Sequence, residues 1–106
     1  MEIELLYFED CPNYQTALKH LTEVIKEKKL DIQVRMVNIE SDEEAWENRF
    51  LGSPTIRVND IDIEPGAQER GDFSIRCRLY LEAGKIKGWP SKKLVRHTIE
   101  KAIQQT

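Results

Sequence analysis

Read for its apolar and polar positions, the chain starts with a short run of the buried-strand kind. Residues 2–9 contain Ile3, Leu5, Leu6, Tyr7 and Phe8 in near-continuous order. Asp10-Cys11-Pro12 interrupts that run, and from Tyr14 the apolar positions fall at Ala17, Leu18, Leu21, Val24 and Ile25, the spacing of one helix face. Pro12 suits the first helical position, where its missing N–H has no helical partner to lose. Glu27, Lys28 and Lys29 close the helix, the two lysines facing the negative end of its dipole. Residues 31–40 alternate through Ile32, Val34 and Met36, with Val37 and Ile39 after them, and read as a second strand.

Ser41-Asp42-Glu43-Glu44 has the form of a capping box and predicts a short acidic helix, with Ala45, Trp46 and Phe50 as its apolar contacts. Gly52-Ser53-Pro54 ends it. Thr55, Ile56 and Val58 then read as a third strand, Asn59-Asp60 as a tight turn, and Ile61 with Ile63 as a fourth. Residues 64–72 are polar and carry Pro65, Gly66 and Gly71, a loop pattern. Residues 74–81 set Ile75, Cys77, Leu79 and Leu81 against Ser74, Arg76, Arg78 and Tyr80, an extra strand with its apolar phase inward; a short helix is the alternative. Residues 83–90 read as irregular. Ser91 caps a last helix with Leu94, Val95, Thr98, Ile99, Ala102 and Ile103 as its buried stripe.

A strand–helix–strand unit needs a right-handed crossover and makes the first two strands parallel, whereas the hairpin after Pro54 is antiparallel. The pattern therefore predicts an α/β fold: a mixed four-stranded sheet with helices on both faces and an insertion of about 64–90 before the C-terminal helix. With 106 residues, one domain spanning 1–106 accounts for the whole sequence.

Charge narrows the partners. Sixteen Lys and Arg against 19 Asp and Glu give a net charge of -3 with no dense basic block, which argues against nucleic acid. Met1-Glu2-Ile3-Glu4 lacks the basic segment and long apolar run of a signal peptide, no stretch reads as a membrane span, and a cytosolic location is the expectation. Cys11 and Cys77 form no disulfide framework and no zinc pattern. His20 and His97 read as solvated helical residues, and neither a metal nor a cofactor is expected.

The residues with chemistry are the cysteines. A thiol at a helix start meets unpaired amides and the positive end of the dipole, which favour the reactive thiolate, while Glu9 and Asp10 oppose this. Reactive Cys11 is the preferred reading over a chemically idle helix-start residue. Cys77, on the apolar phase, reads first as a small buried hydrophobe. The alternative is that the insertion folds back and supplies Cys77 as a second thiol, which needs a Cα separation below about 7 Å. Arg70, Arg76 and Arg78 form a cationic group, read as solvated in preference to a site for an anion such as glutathione. Tyr14, Trp46 and Trp89 either complete the core or line a groove.

Cys11-Pro12-Asn13-Tyr14, after the first strand and opening a helix, resembles the active-site segment of the thioredoxin superfamily. Gly52-Ser53-Pro54-Thr55-Ile56 is similar to that family's cis-proline segment. More narrowly, the chain resembles small bacterial thioredoxin-like proteins with a Cys-Pro-Asn-aromatic start, a Leu-Gly-Ser-Pro-Thr segment and elements like Glu64-Pro65-Gly66, Arg70 to Phe73 and Cys77-Arg78-Leu79-Tyr80. Some of these carry the label alkylmercury lyase, a chemistry with no recognisable catalytic pattern here. The resemblance implies a thioredoxin-like fold, a cis Ser53–Pro54 peptide, Cys11 as nucleophile, and Pro12, Tyr14, Ser53 and Pro54 beside a protein or small thiol or disulfide substrate. Tyr14 replaces the second cysteine of Cys-x-x-Cys, so resolution of a mixed disulfide falls to Cys77 or glutathione. A silent binding module on the same fold, or a soft-metal binder using both thiols, are the competing expectations.

Overall fold

The computed structural model describes residues 1–105. Strand β1 (Ile3–Tyr7) leads into helix α1 (Tyr14–Glu27), and β2 (Val34–Asn38) returns parallel to β1 with Ile3 opposite Val34. Helix α2 (Asp42–Glu47) precedes β3 (Thr55–Val58), which lies antiparallel on the other side of β1 and turns into β4 (Ile61–Asp62). The result is the expected mixed four-stranded sheet, in the order β2-β1-β3-β4. Asn59 and Asp60 turn the β3–β4 hairpin with φ of 53° and 66°, the left-handed pair that two-residue hairpins favour.

Period-two alternation in β1 feeds two cores. Ile3 and Leu5 join Ala17, Leu21, Val24 and Ile25 of α1, Ile56 and Val58 of β3, and Val95, Ile99 and Ala102 of helix α3 (Lys92–Gln104). Leu6 points the other way, into a smaller cluster with Ile39, Ala45 and Phe50. Helices α1 and α3 thus cover one face and α2 the other. Both capped starts form as the residues predict. The Glu44 amide donates to Ser41 Oγ at 3.1 Å and the Leu94 amide to Ser91 Oγ at 3.0 Å. The Glu44 carboxylate reaches back to the Glu40 amide at 2.9 Å. At the far end of α2, the Arg57 guanidinium donates to the Asn48 and Arg49 carbonyls, which places a cation on the negative end of a helix.

The insertion departs from its prediction in three ways. Residues 83–90 are not wholly irregular, because β5 (Tyr80–Glu82) and β6 (Lys85–Lys87) form a second hairpin around Ala83 and Gly84, both at positive φ. The expected strand over 74–81 shrinks to β5 and one isolated bridge, between Ser53 and Cys77. Its buried phase is also reversed: Arg78 and Tyr80 are 2% and 1% exposed, whereas Cys77, Leu79 and Leu81 face solvent. Outside the insertion, Trp46 is exposed and meets the edge of Phe73 instead of completing the core under α2. No helix among the described residues is long and apolar enough to cross a membrane.

Candidate functional site

Cys11 sits in the turn between β1 and α1. Its amide donates to the Phe8 carbonyl at 3.1 Å, which folds Glu9 and Asp10 into a tight loop. The helix itself starts at Tyr14 with Asn13 as N-cap, so Pro12 precedes the helix and does not occupy its first position. The reason is local. The Asn13 carbonyl is the first helical acceptor, taking the Ala17 N–H at 3.3 Å; its side chain makes no capping bond, and its N–H, which has no helical acceptor, donates to Cys11 Sγ at 3.4 Å. Cys11 therefore lies outside the first turn, where the dipole acts most strongly, and its sulfur receives one directed N–H donor. The thiol donates to the Ser53 carbonyl at 3.7 Å, and the residue is 4% exposed.

Ser53 and Pro54 are buried at the entry to β3, joined by a cis peptide as the resemblance implies. The Thr55 hydroxyl donates to the Gly52 carbonyl at 2.6 Å and closes this corner. Gly52 has φ of 123°, and a Cβ there would lie 3.1 Å from both the Arg76 carbonyl oxygen and Arg78 Cβ, so only glycine lets the insertion approach this closely.

The insertion does fold back on this corner. The Ser53 N–H donates to the Arg76 carbonyl at 2.8 Å, and the Arg78 N–H donates to the Ser53 carbonyl at 2.9 Å. One carbonyl oxygen thus accepts from the Cys11 thiol and from the peptide that joins Cys77 to Arg78. Both cysteines are free: Cys11 buried, Cys77 exposed. Cys77 is consequently not the core residue its phase predicts.

The physical cause is the pair of side chains on either side of Leu79. Arg78 donates to Asp62 at 2.8 Å through each terminal nitrogen, to Glu64 at 3.2 Å and to Thr55 Oγ1 at 3.1 Å. Tyr80 donates its hydroxyl to the Pro54 carbonyl at 2.5 Å, and the Arg78 guanidinium lies 4.6 Å from the Tyr80 ring centre. Burial holds the Tyr80 phenol well above its usual range, which keeps it a donor. The sequence pattern assigned no charge partner to Asp62 or Glu64. The readable signal was a carboxylate between Ile61 and Ile63, where a half-buried strand has little use for an unpaired charge.

Of the three arginines expected to be solvated, Arg70 and Arg76 stay at the surface and Arg78 does not. Arg78 is buried, while Arg70 and Arg76 both close on the Asp72 carboxylate. Hydrogen bonding by Arg70, then by Arg76, holds Asp72 well below the usual carboxylate range despite some loss of hydration. The aromatic groove does not assemble either. Tyr14, at the position of the missing second cysteine, stacks on Tyr7 at 4.4 Å, and Trp89 packs against the main core. On the helix side, Gly88 lies against the Asn13 side chain: a Cβ there would come within 2.3 Å of Asn13 Nδ2. His20, expected to be solvated, bonds the Pro90 carbonyl at 3.0 Å through Nδ1. The insertion therefore touches the Cys11 turn on two sides, through Ser53 and through Asn13. No family model matches the chain, and neither a curated protein nor a solved structure matches it.

Proposed function

We propose that this is a thioredoxin-like, thiol-based redox protein with Cys11 as nucleophile and Cys77, or an external thiol such as glutathione, as the resolving group. The observation that carries the reading is the shared Ser53 carbonyl, on which the Cys11 thiol and the Cys77–Arg78 peptide converge. The sheet order, the turn that holds Cys11 before α1 and the cis Ser53–Pro54 corner facing it support the thioredoxin-like part of the reading.

In the first step the Cys11 thiolate attacks one sulfur of a substrate disulfide. The substrate S–S bond breaks, a mixed disulfide forms on Cys11, and the departing thiolate takes up the proton that Cys11 released. In the second step the Cys77 thiolate attacks Cys11 Sγ and releases the other half of the substrate as a thiol. The substrate gains two electrons, and the chain ends with a Cys11–Cys77 disulfide, which a small thiol reductant reopens. Where glutathione resolves instead, its thiolate attacks the same mixed disulfide and Cys77 stays reduced.

The test is mass spectrometry of the reduced chain after exposure to glutathione disulfide. The Cys77→Ser variant is expected to accumulate a glutathione adduct on Cys11, and the parent chain to convert to the internal disulfide with loss of two hydrogens. Absence of any Cys11 adduct in Cys77→Ser would overturn the reading. That result would favour a silent binding module, a version that the burial of Cys11 and the stacked Tyr14 support.

A further inference from the structure

The two thiols differ sharply in exposure, and the insertion meets the corner that holds the buried one. Ser53 has one backbone donor and one backbone acceptor, and residues 76–78 occupy both. The same segment presses against Gly52 closely enough to exclude a Cβ. Cys11, whose thiol hangs on that Ser53 carbonyl, is 4% exposed, while Cys77 at the centre of the bridge is open to solvent. We propose that residues 76–78 are an autoinhibitory strap, latched by Arg78, that shuts Cys11 away until the strap lifts from Ser53.

The latch is strong at its tip and imperfect at its seat. Two carboxylates and a hydroxyl hold the Arg78 terminal nitrogens, and the Tyr80 hydroxyl pins the next turn of the chain to Pro54. Yet Arg78 Nε and Ser53 Oγ are both buried without a hydrogen-bond partner. A buried polar atom left unpaired carries its full desolvation penalty, so the closed form is penalised at the two residues where strap and corner join. Beyond the latch, the bridge contributes two backbone bonds and one long contact from Arg76 Nε to the Leu51 carbonyl at 3.4 Å, and Cys77 and Leu79 add no buried side chain. Segments with few buried apolar contacts open below the global unfolding free energy. The inference rests on the reading of Cys11 as the working thiol for its consequence, since an idle thiol would have nothing to inhibit.

The experiment is a pulse of iodoacetamide on the reduced full chain, with each cysteine followed separately by peptide mass spectrometry and both rates calibrated in denaturant. Cys77 is expected to react at least tenfold faster than Cys11 in the native chain. Arg78→Lys, which keeps the charge but loses the forked contact with Asp62, is expected to raise the Cys11 rate about tenfold and leave the Cys77 rate unchanged. Tyr80→Phe, which removes one hydroxyl, is expected to act in the same direction and serves if Arg78→Lys does not fold. Leu21→Ala in the main core is the control for global unfolding. Equal native rates at the two thiols would overturn the strap, as would an unchanged Cys11 rate in the folded latch variants or an equal rise in Leu21→Ala. Alkylation needs no disulfide exchange, so this outcome is separable from that of the glutathione disulfide test.

Discussion

Arg78 is a guanidinium that has left water almost completely, held against Asp62, itself 9% exposed. Burial alone pulls its pKa down. The Asp62 hydrogen bonds, with Tyr80, Asp62 and Glu64 nearby, more than offset that, and the net shift is upward, so the side chain stays charged wherever the protein folds. A buried pair of this kind is costly to break and cheaper to replace. Asp62→Ala is expected to lose about 3–5 kcal/mol in urea unfolding, because Arg78 is left with the Thr55 hydroxyl and with Glu64 as its one carboxylate. The double variant Asp62→Leu with Arg78→Met is expected to recover most of that loss, a non-additivity that a double-mutant cycle reads directly. The same residue explains the least legible part of the sequence. An apolar residue at every second position of 75–81 argues for that phase inward, since a fully buried Leu contributes about 1.5–3 kcal/mol. Alternation cannot reveal that Arg78 has two carboxylates waiting across the insertion, or that Tyr80 buries a whole ring and still finds an acceptor at Pro54. Where polar partners lie 16 and 26 positions away, a local pattern is blind to them.

Among the elements, those built on local chemistry were legible. Ser41 and Ser91 announce their helices because a hydroxyl before a helix satisfies an orphan amide whatever the tertiary structure does. Asn59-Asp60 announces its hairpin because both residues tolerate the left-handed region. The β5–β6 hairpin was missed because its turn is Ala83-Gly84, and alanine is a poor resident at φ of 50°. That mismatch is correctable. Ala83→Asn restores the Asn-Gly pairing that such turns favour and is expected to raise stability by up to about 1 kcal/mol. The readout is the urea midpoint, which should rise at unchanged slope; a fall would mean that the turn is not of this type. The Cys11 turn shows the opposite case. Pro12 is a fair sign of a helix start, yet the helix begins at Tyr14, with the Asn13 carbonyl as its first acceptor and the orphan Asn13 N–H donated to the sulfur. Which carbonyl would serve as the first helical acceptor was not readable from residue type.

Across the whole molecule, the two helices on the main face are stitched by charge as well as by the core. Glu23 meets Lys92 at 3.3 Å, Glu27 meets Arg96 at 2.6 Å and Lys28 meets Glu100 at 2.6 Å, all on partly exposed side chains. Hydrogen bonds from Arg96 and Lys28 hold the Glu27 and Glu100 carboxyls below their ordinary 4.5. A carboxyl depressed in the folded state takes up its proton more readily once unfolded. Its contribution is therefore whole above 4.5 and disappears as pH falls through the lower folded value. Asp72, depressed by Arg70 and Arg76, works with the same sign at the base of the strap. Solvent screens all three, so the expected effects are modest individually. The chain should lose stability on going from pH 6 to pH 3. Lys28→Met with Arg96→Met should lose less over that interval, because two of the depressed carboxyls are then released from their partners. Urea midpoints of both proteins at the two pH values test this, and repetition in 1 M salt should shrink the difference between them, as it must for exposed pairs. An identical pH response in the two proteins would mean that the α1–α3 contact rests on Leu21, Val24, Val95 and Ile99 alone, with the ion pairs contributing no net stability.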